Sequence, residues 1–214
     1  MGDTKSIGVA YRDQDLDGST LTSVKTAGLT GYLYGNGSTS PVTASPTIPY
    51  SAISGVALQA DYGAFSYIDG PQTAAAETVT VLDLNTTDES NGVSLGSPTS
   101  RVVISTTGVY SITISIQVAG TSAQVDDFTL WVRKNGTNIP NSASISGTPA
   151  KHGSINGHNV LTVNFVYSLA ANDYIQFCWT TKAGTSSIIT YPASATAPIH
   201  PASPAVILTV IQIA

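Results

Sequence analysis

The chain has 214 residues, a net charge of −5, only 10% charged residues and a single Cys. That length suits one large all-β domain, or a domain with an extension. So little charge beside so much Ser, Thr, Asn and Gly demands a surface built of hydroxyls and amides. The absence of any cluster of Lys or Arg argues against nucleic-acid binding.

No apolar run reaches membrane-spanning length. The polar start Met1-Gly2-Asp3-Thr4-Lys5 is followed by no apolar signal segment. The expectation is therefore a protein made in a reducing cytoplasm, with no membrane partner. Cys178, within the apolar run Ile175–Trp179, is read as a buried, inert thiol.

Residues 1–60 are dense in Gly, Ser, Thr and Pro, with apolar side chains only in small groups. They are too sparse for a core and read as an extended attachment arm. Fully extended, about 60 residues reach on the order of 200 Å. Ile7, Val9, Tyr11, Arg12, Asp13, Tyr32 and Tyr34 are its candidate anchors on a neighbouring protein.

A β domain is expected over 61–214. Strands are predicted at Tyr62–Asp69 and Thr78–Asn85, with a short connector or edge segment at Gly92–Ser97. Next comes Arg101–Val118, the stretch around which the domain is organised. Tyr110, Ile112, Ile114, Ile116 and Val118 alternate with Ser111, Thr113, Ser115 and Gln117, the period of two of a half-buried strand. Burying those five side chains is worth up to roughly 10 kcal/mol. Thr106-Thr107-Gly108 is read as the turn of a hairpin, with Gly108 free to take positive φ. Phe128, Leu130 and Val132 face inward with Trp131 opposite, and Asn135-Gly136 signals a two-residue hairpin into Asn138–Ser146. A polar loop is expected over 147–158. Val160–Ser168 alternates again, with Leu161, Val163, Phe165 and Tyr167 on one side. Tyr174–Thr181, Ile188–Tyr191 and a final run, Ala205–Ile213, complete the set. The last is apolar on both faces and is placed centrally in a sheet. No segment of useful length has helical period, so the expected fold is an all-β antiparallel sandwich.

Several of these segments resemble known proteins. Gly108-x-Tyr110 opening a long strand, Leu130–Gly136, Leu169–Ile175 and the final apolar strand are similar to the jelly roll of tumour-necrosis-factor and complement globular heads. Ser90–Arg101 and Ala205–Ala214 are similar to a domain recurring in virion proteins of tailed phages, notably marine ones, and Lys5–Asp13 resembles the start of short phage structural proteins. The resemblance implies a homotrimer in the virion. It would be a capsid decoration, cement or head-fibre protein bound to the major capsid protein or another virion protein. The alternative is a tail-fibre or baseplate module recognising a host surface glycan. Asn172 stands where many family turns carry Gly, and Asn too tolerates left-handed φ.

Catalytic patterns are wanting. Asp126-Asp127 and Asp88-Glu89 are adjacent acids, which face opposite ways on a strand and do not make a glycosidase pair. Asp13, Asp15, Asp17 and Gly18 open like a calcium loop, but the twelfth position is Val24, so a solvated turn or an acidic hook is the reading. His152, His158 and His200 lack metal-ligand spacing. His152, His158 and Tyr191 are candidate outer-loop contacts, on loops 147–158 and 192–203. Trp131, Trp179 and Tyr191 are assigned to packing ahead of sugar stacking. No catalytic residue, metal or cofactor is expected, and the protein is read as not an enzyme.

Overall fold

The computed structural model describes Tyr32–Tyr34, Thr43–Ser45 and residues 60–214. The chain divides into two units, Met1–Leu58 and Gln59–Ala214. In the first, β1 (Tyr32–Tyr34) pairs antiparallel with β2 (Thr43–Ser45). Of the expected arm contacts, Tyr32 and Tyr34 belong to β1. Ile7, Val9, Tyr11, Arg12 and Asp13, with the carboxylates Asp15 and Asp17, lie outside the described residues.

The second unit is an all-β jelly-roll sandwich of two antiparallel sheets, with no helix among the described residues. One sheet runs β6 (Thr86–Asn91), β3 (Tyr62–Tyr67), β16 (Val206–Gln212), β9 (Gly108–Gly120) and β13 (Gly157–Leu169). Here β15 (Ser186–Ile188) extends the β16 side of β9 and carries β4 (Gln72–Thr73). The other sheet runs β7 (Val93–Leu95), β8 (Val102–Ile104), β14 (Tyr174–Thr181), β10 (Asp126–Lys134) and β12 (Ser144–Thr148). On it, β11 (Thr137–Asn138) also pairs β10 and β5 (Thr80–Val81) pairs β14. The chain crosses from sheet to sheet between β4 and β5, β5 and β6, β6 and β7, β8 and β9, β9 and β10, β12 and β13, β13 and β14, and β14 and β15.

The period-two pattern builds the core. Tyr110, Ile112, Ile114, Ile116 and Val118 of β9 are buried against Phe128, Leu130 and Val132 of β10 and Ile175, Phe177 and Trp179 of β14. Trp179 stacks on Phe128 at 5.3 Å between centroids. The final strand lies between β9 and β3, as its composition suggested, with Val206, Leu208 and Val210 turned inward.

Five local expectations are corrected. Arg101–Val118 is not a hairpin: β8 and β9 belong to different sheets, and Thr106–Gly108 is the corner between them. Tyr110 fastens that corner by donating its hydroxyl to the Thr106 carbonyl at 2.6 Å. Gly108 is absent from the positive-φ residues; glycine fits there because a Cβ would lie 2.6 Å from the Ala214 carbonyl oxygen. Thr78–Asn85 is not one strand but a crossing. Leu82 N–H bonds Phe177 O in one sheet and Asn85 N–H bonds Ser66 O in the other, with Leu82 and Leu84 plugging the space between. Asn138–Ser146 is broken at Pro140-Asn141, where Asn141 has φ 61° and Ser142 Oγ accepts from Val132 N in place of a ladder bond. Finally, 147–158 is not all loop, since β12 reaches Thr148 and β13 starts at Gly157. The turn at Asn135-Gly136 has positive φ at both residues, and Asn172 is left-handed at φ 70°.

One buried charge ties the sheets together. Asp126, inside β10, accepts four hydrogen bonds from the 183–186 turn: the backbone N–H groups of Ala183 and Thr185 and the hydroxyls of Thr185 and Ser186, at 2.7–3.0 Å. Burial opposes its charge, but these donors outweigh it and hold the carboxyl below its ordinary value. At the opposite end of β14, Asp173 is lowered to about 2, first by Lys134, whose Nζ is 2.6 Å away, against a burial penalty, and further by Ala170 N–H and Asn135 Nδ2. Both folded values lie below those of the unfolded chain. Their stabilisation is therefore complete above about pH 4 and fades as the pH falls through the folded values. Urea denaturation should show stability declining from pH 4 to pH 2. Asp126→Asn should cost about 3 kcal/mol at pH 7 and flatten part of that decline.

Candidate functional site

The outer face of the sheet built on β9 is open to solvent. Cross-strand registers set it out in rows: Val166, Ser111, Ile211 and Tyr62; then Asn164, Thr113, Thr209 and Ala64; then Thr162, Ser115, Ile207 and Ser66. Val160 stands at the next row, opposite Gln117. No Asp, Glu, Lys or Arg occurs in these rows. Val160 is 58% exposed, Val166 54%, Ile207 49% and Ile211 45%, although each lies within a regular strand. The acidic residues Asp88 and Glu89 border the face on β6.

Several polar groups of this face bond one another. Asn164 Nδ2 donates to Thr113 Oγ1 at 2.7 Å and to Ser111 Oγ at 3.1 Å, and Thr162 Oγ1 donates to Ser115 Oγ at 3.0 Å. Amides and hydroxyls already partnered within the chain lose little when water is removed, while covering four large aliphatic side chains is favourable. The face is chemically ready to be covered.

A second uncovered surface runs along β13, the sheet's edge. Leu161, Val163, Phe165 and Tyr167 point toward the core yet are only partly buried. Phe165 stacks on Tyr167 at 5.8 Å and leans on Phe177 at 6.3 Å. The strand pairs with β9 without interruption for 13 residues and contains neither charge nor Pro, the usual devices that protect an edge.

The predicted outer-loop contacts separate into two places. His158 and Tyr191 meet: the Tyr191 hydroxyl lies 2.6 Å from His158 Nδ1 and the rings pack edge to face at 5.5 Å. Burial raises the Tyr191 phenol. Loop 192–203 is closed on itself by bridges between Tyr191 and Ser203 and between Ser194 and His200. His152 instead sits in its own turn, its backbone paired with Ile155. Among the described residues, no group of three His, Cys, Asp or Glu is placed to hold a metal. Asp126 and Asp127 face opposite ways, one buried and one exposed. Cys178 is buried between Trp131 and Val81 in the register, and burial raises its thiol. Sequence reading missed Asn164, whose position beside the hydroxyls of Ser111 and Thr113 is set only by the pairing of β13 with β9.

No protein-family model matches the chain, and no curated protein matches it. Among solved structures it is similar to Eiger TNF from S. frugiperda, with 12% identity and a TM-score of 0.46, over 72% of this chain and 93% of that one.

Val166 and Ile211 flank Ser111 in one row, so paired substitutions there place two ammonium groups in the middle of the open face. Val166→Lys with Ile211→Lys should dissociate any self-assembled form to monomers in sedimentation velocity. The folded domain should lose no more than about 1 kcal/mol, because both side chains point away from the core.

Proposed function

We propose that this chain is a non-enzymatic structural protein of a tailed-phage virion, a homotrimer attached as a capsid decoration, cement or head-fibre protein. The single observation that carries the assembly part is the charge-free outer face of β13, β9, β16 and β3, with its aliphatic side chains exposed and its amides internally satisfied. Two different uncovered surfaces, a flat face and the edge strip of β13, favour head-to-tail contact between copies. Contact of that kind builds a closed ring when the rotation between copies permits it and an open filament when it does not. On this reading it closes at three copies. The virion part is supported by the likeness of Ser90–Arg101, Ala205–Ala214 and Lys5–Asp13 to phage structural proteins. On this reading residues 1–60 grip the major capsid protein. Three arms per trimer raise effective affinity without strong single contacts.

The test is particle binding by the full chain and by a chain lacking residues 1–60. The account expects the shortened protein to remain a folded trimer that no longer joins particles. Electron cryomicroscopy of particles carrying the full chain should find trimers spread over the shell. A monomeric or unfolded truncation overturns the division into arm and head, and copies confined to the tail overturn the capsid placement.

A further inference from the structure

The second sheet turns a different surface outward. In the pairing of β10 with β14, Thr129 stands opposite Thr180 and Trp131 opposite Cys178, on the face away from the core. Beside the threonines the surface dips into a hollow of about 360 Å³ lined by Glu77, Asp127, Thr129, Thr180 and Lys182, among others. That volume is at the lower end of small-molecule sites, roughly 300–1,000 Å³.

Three features point to a hydroxyl-rich ligand. The Thr180 hydroxyl is buried and has no hydrogen-bond partner, a costly omission unless something else supplies one. Around it are an exposed carboxylate, Asp127, and an ion pair between Glu77 and Lys182, which together offer both acceptors and donors. Trp131 lies two positions along β10 from Thr129 on the same face, about 7 Å away. Its indole N–H donates at 2.9 Å to Asn138 Oδ1, which also accepts from Arg133 Nε at 2.7 Å, so the half-buried ring is held in one orientation. An oriented indole beside hydroxyls and paired charges matches a sugar, whose C–H face stacks on an aromatic ring while its rim of hydroxyls hydrogen-bonds. Two carboxylates against one ammonium disfavour an anionic ligand.

We propose that this hollow binds one ring of a neutral oligosaccharide, with Thr180, Asp127 and Lys182 holding its hydroxyls and Trp131 stacking on the adjoining ring. The site is on the opposite sheet from the assembly surfaces and stands or falls independently of them.

The experiment uses the full chain on a printed array of neutral and acidic glycans, followed by titration of the strongest neutral oligosaccharide. With Trp179 wholly buried, Trp131 is the fluorescent reporter. The expected result is selective binding of neutral glycans with a change in Trp emission. Thr180→Val should weaken binding about tenfold while leaving the thermal midpoint unchanged or higher, because it removes an unpartnered hydroxyl. Trp131→Ala, followed by calorimetry, should weaken it at least as much. The proposal is overturned if no neutral glycan binds above background, or if both variants bind as the parent does. It is equally overturned if either variant changes the oligomeric state, which would make the hollow a contact between copies.

Discussion

The structure depends on the two-sidedness of β9. One side of this 13-residue strand carries Tyr110, Ile112, Ile114, Ile116 and Val118, all buried; the other carries Ser111, Thr113, Ser115 and Gln117. The buried side fills the middle of the sandwich, and both edges of the strand are occupied, by β13 on one and by β16 and β15 on the other. The hydroxyl side decides what the sheet presents outward. Short polar side chains leave the neighbouring Val166, Ile207 and Ile211 standing clear, and they accept the bonds of Asn164 and Thr162 without reaching for water. A charged residue at any of these positions would mark the face as a solvated exterior. Their absence makes it a surface whose burial is favourable.

Polar anchors at the sandwich ends then fix how the loops attach. Asp126 gathers the 183–186 turn, and Gln72 exchanges two hydrogen bonds with the backbone of Asp83 where the chain crosses between sheets. Asp173 joins the Asn135-Gly136 hairpin to the 170–173 turn through Lys134 and Asn135. These contacts specify a connection more than they add net stability, since each buried polar group costs desolvation before its bonds offset it. They leave the outer surfaces of both sheets unencumbered, one with its uncharged rows and one with its hollow.

Much of the fold was legible because alternation is a local signal. Ile112 to Val118, Phe128 to Val132 and Leu161 to Tyr167 each declare a face, and Asn135-Gly136 declares a turn, without reference to the rest of the chain. Which strand pairs with which is not local. The pattern of Arg101–Val118 is equally good for a hairpin and for a corner, and only the partners, β14 for β8 and β13 for β9, decide it. Thr86–Asn91 was invisible as a strand, being wholly polar with two adjacent acids. It forms because the edge of β3 offers backbone partners, with Ser66 Oγ donating to Asp88. The site was less legible still. His158 and Tyr191 were named without a contact between them, and only the fold brings Tyr191 beside the start of β13. Thr180 carried no signal at all, since an unpartnered hydroxyl is a property of packing and not of spacing.

Whether copies of this protein meet through the uncharged face is tested by sedimentation equilibrium of the full chain from low to high salt. An interface of aliphatic side chains and satisfied amides predicts a single trimeric species whose association constant holds or strengthens as salt rises, because no charge is there to screen. A monomer at all concentrations, or a trimer that dissociates as salt rises, would contradict the account and move the interface to the charged borders of the molecule.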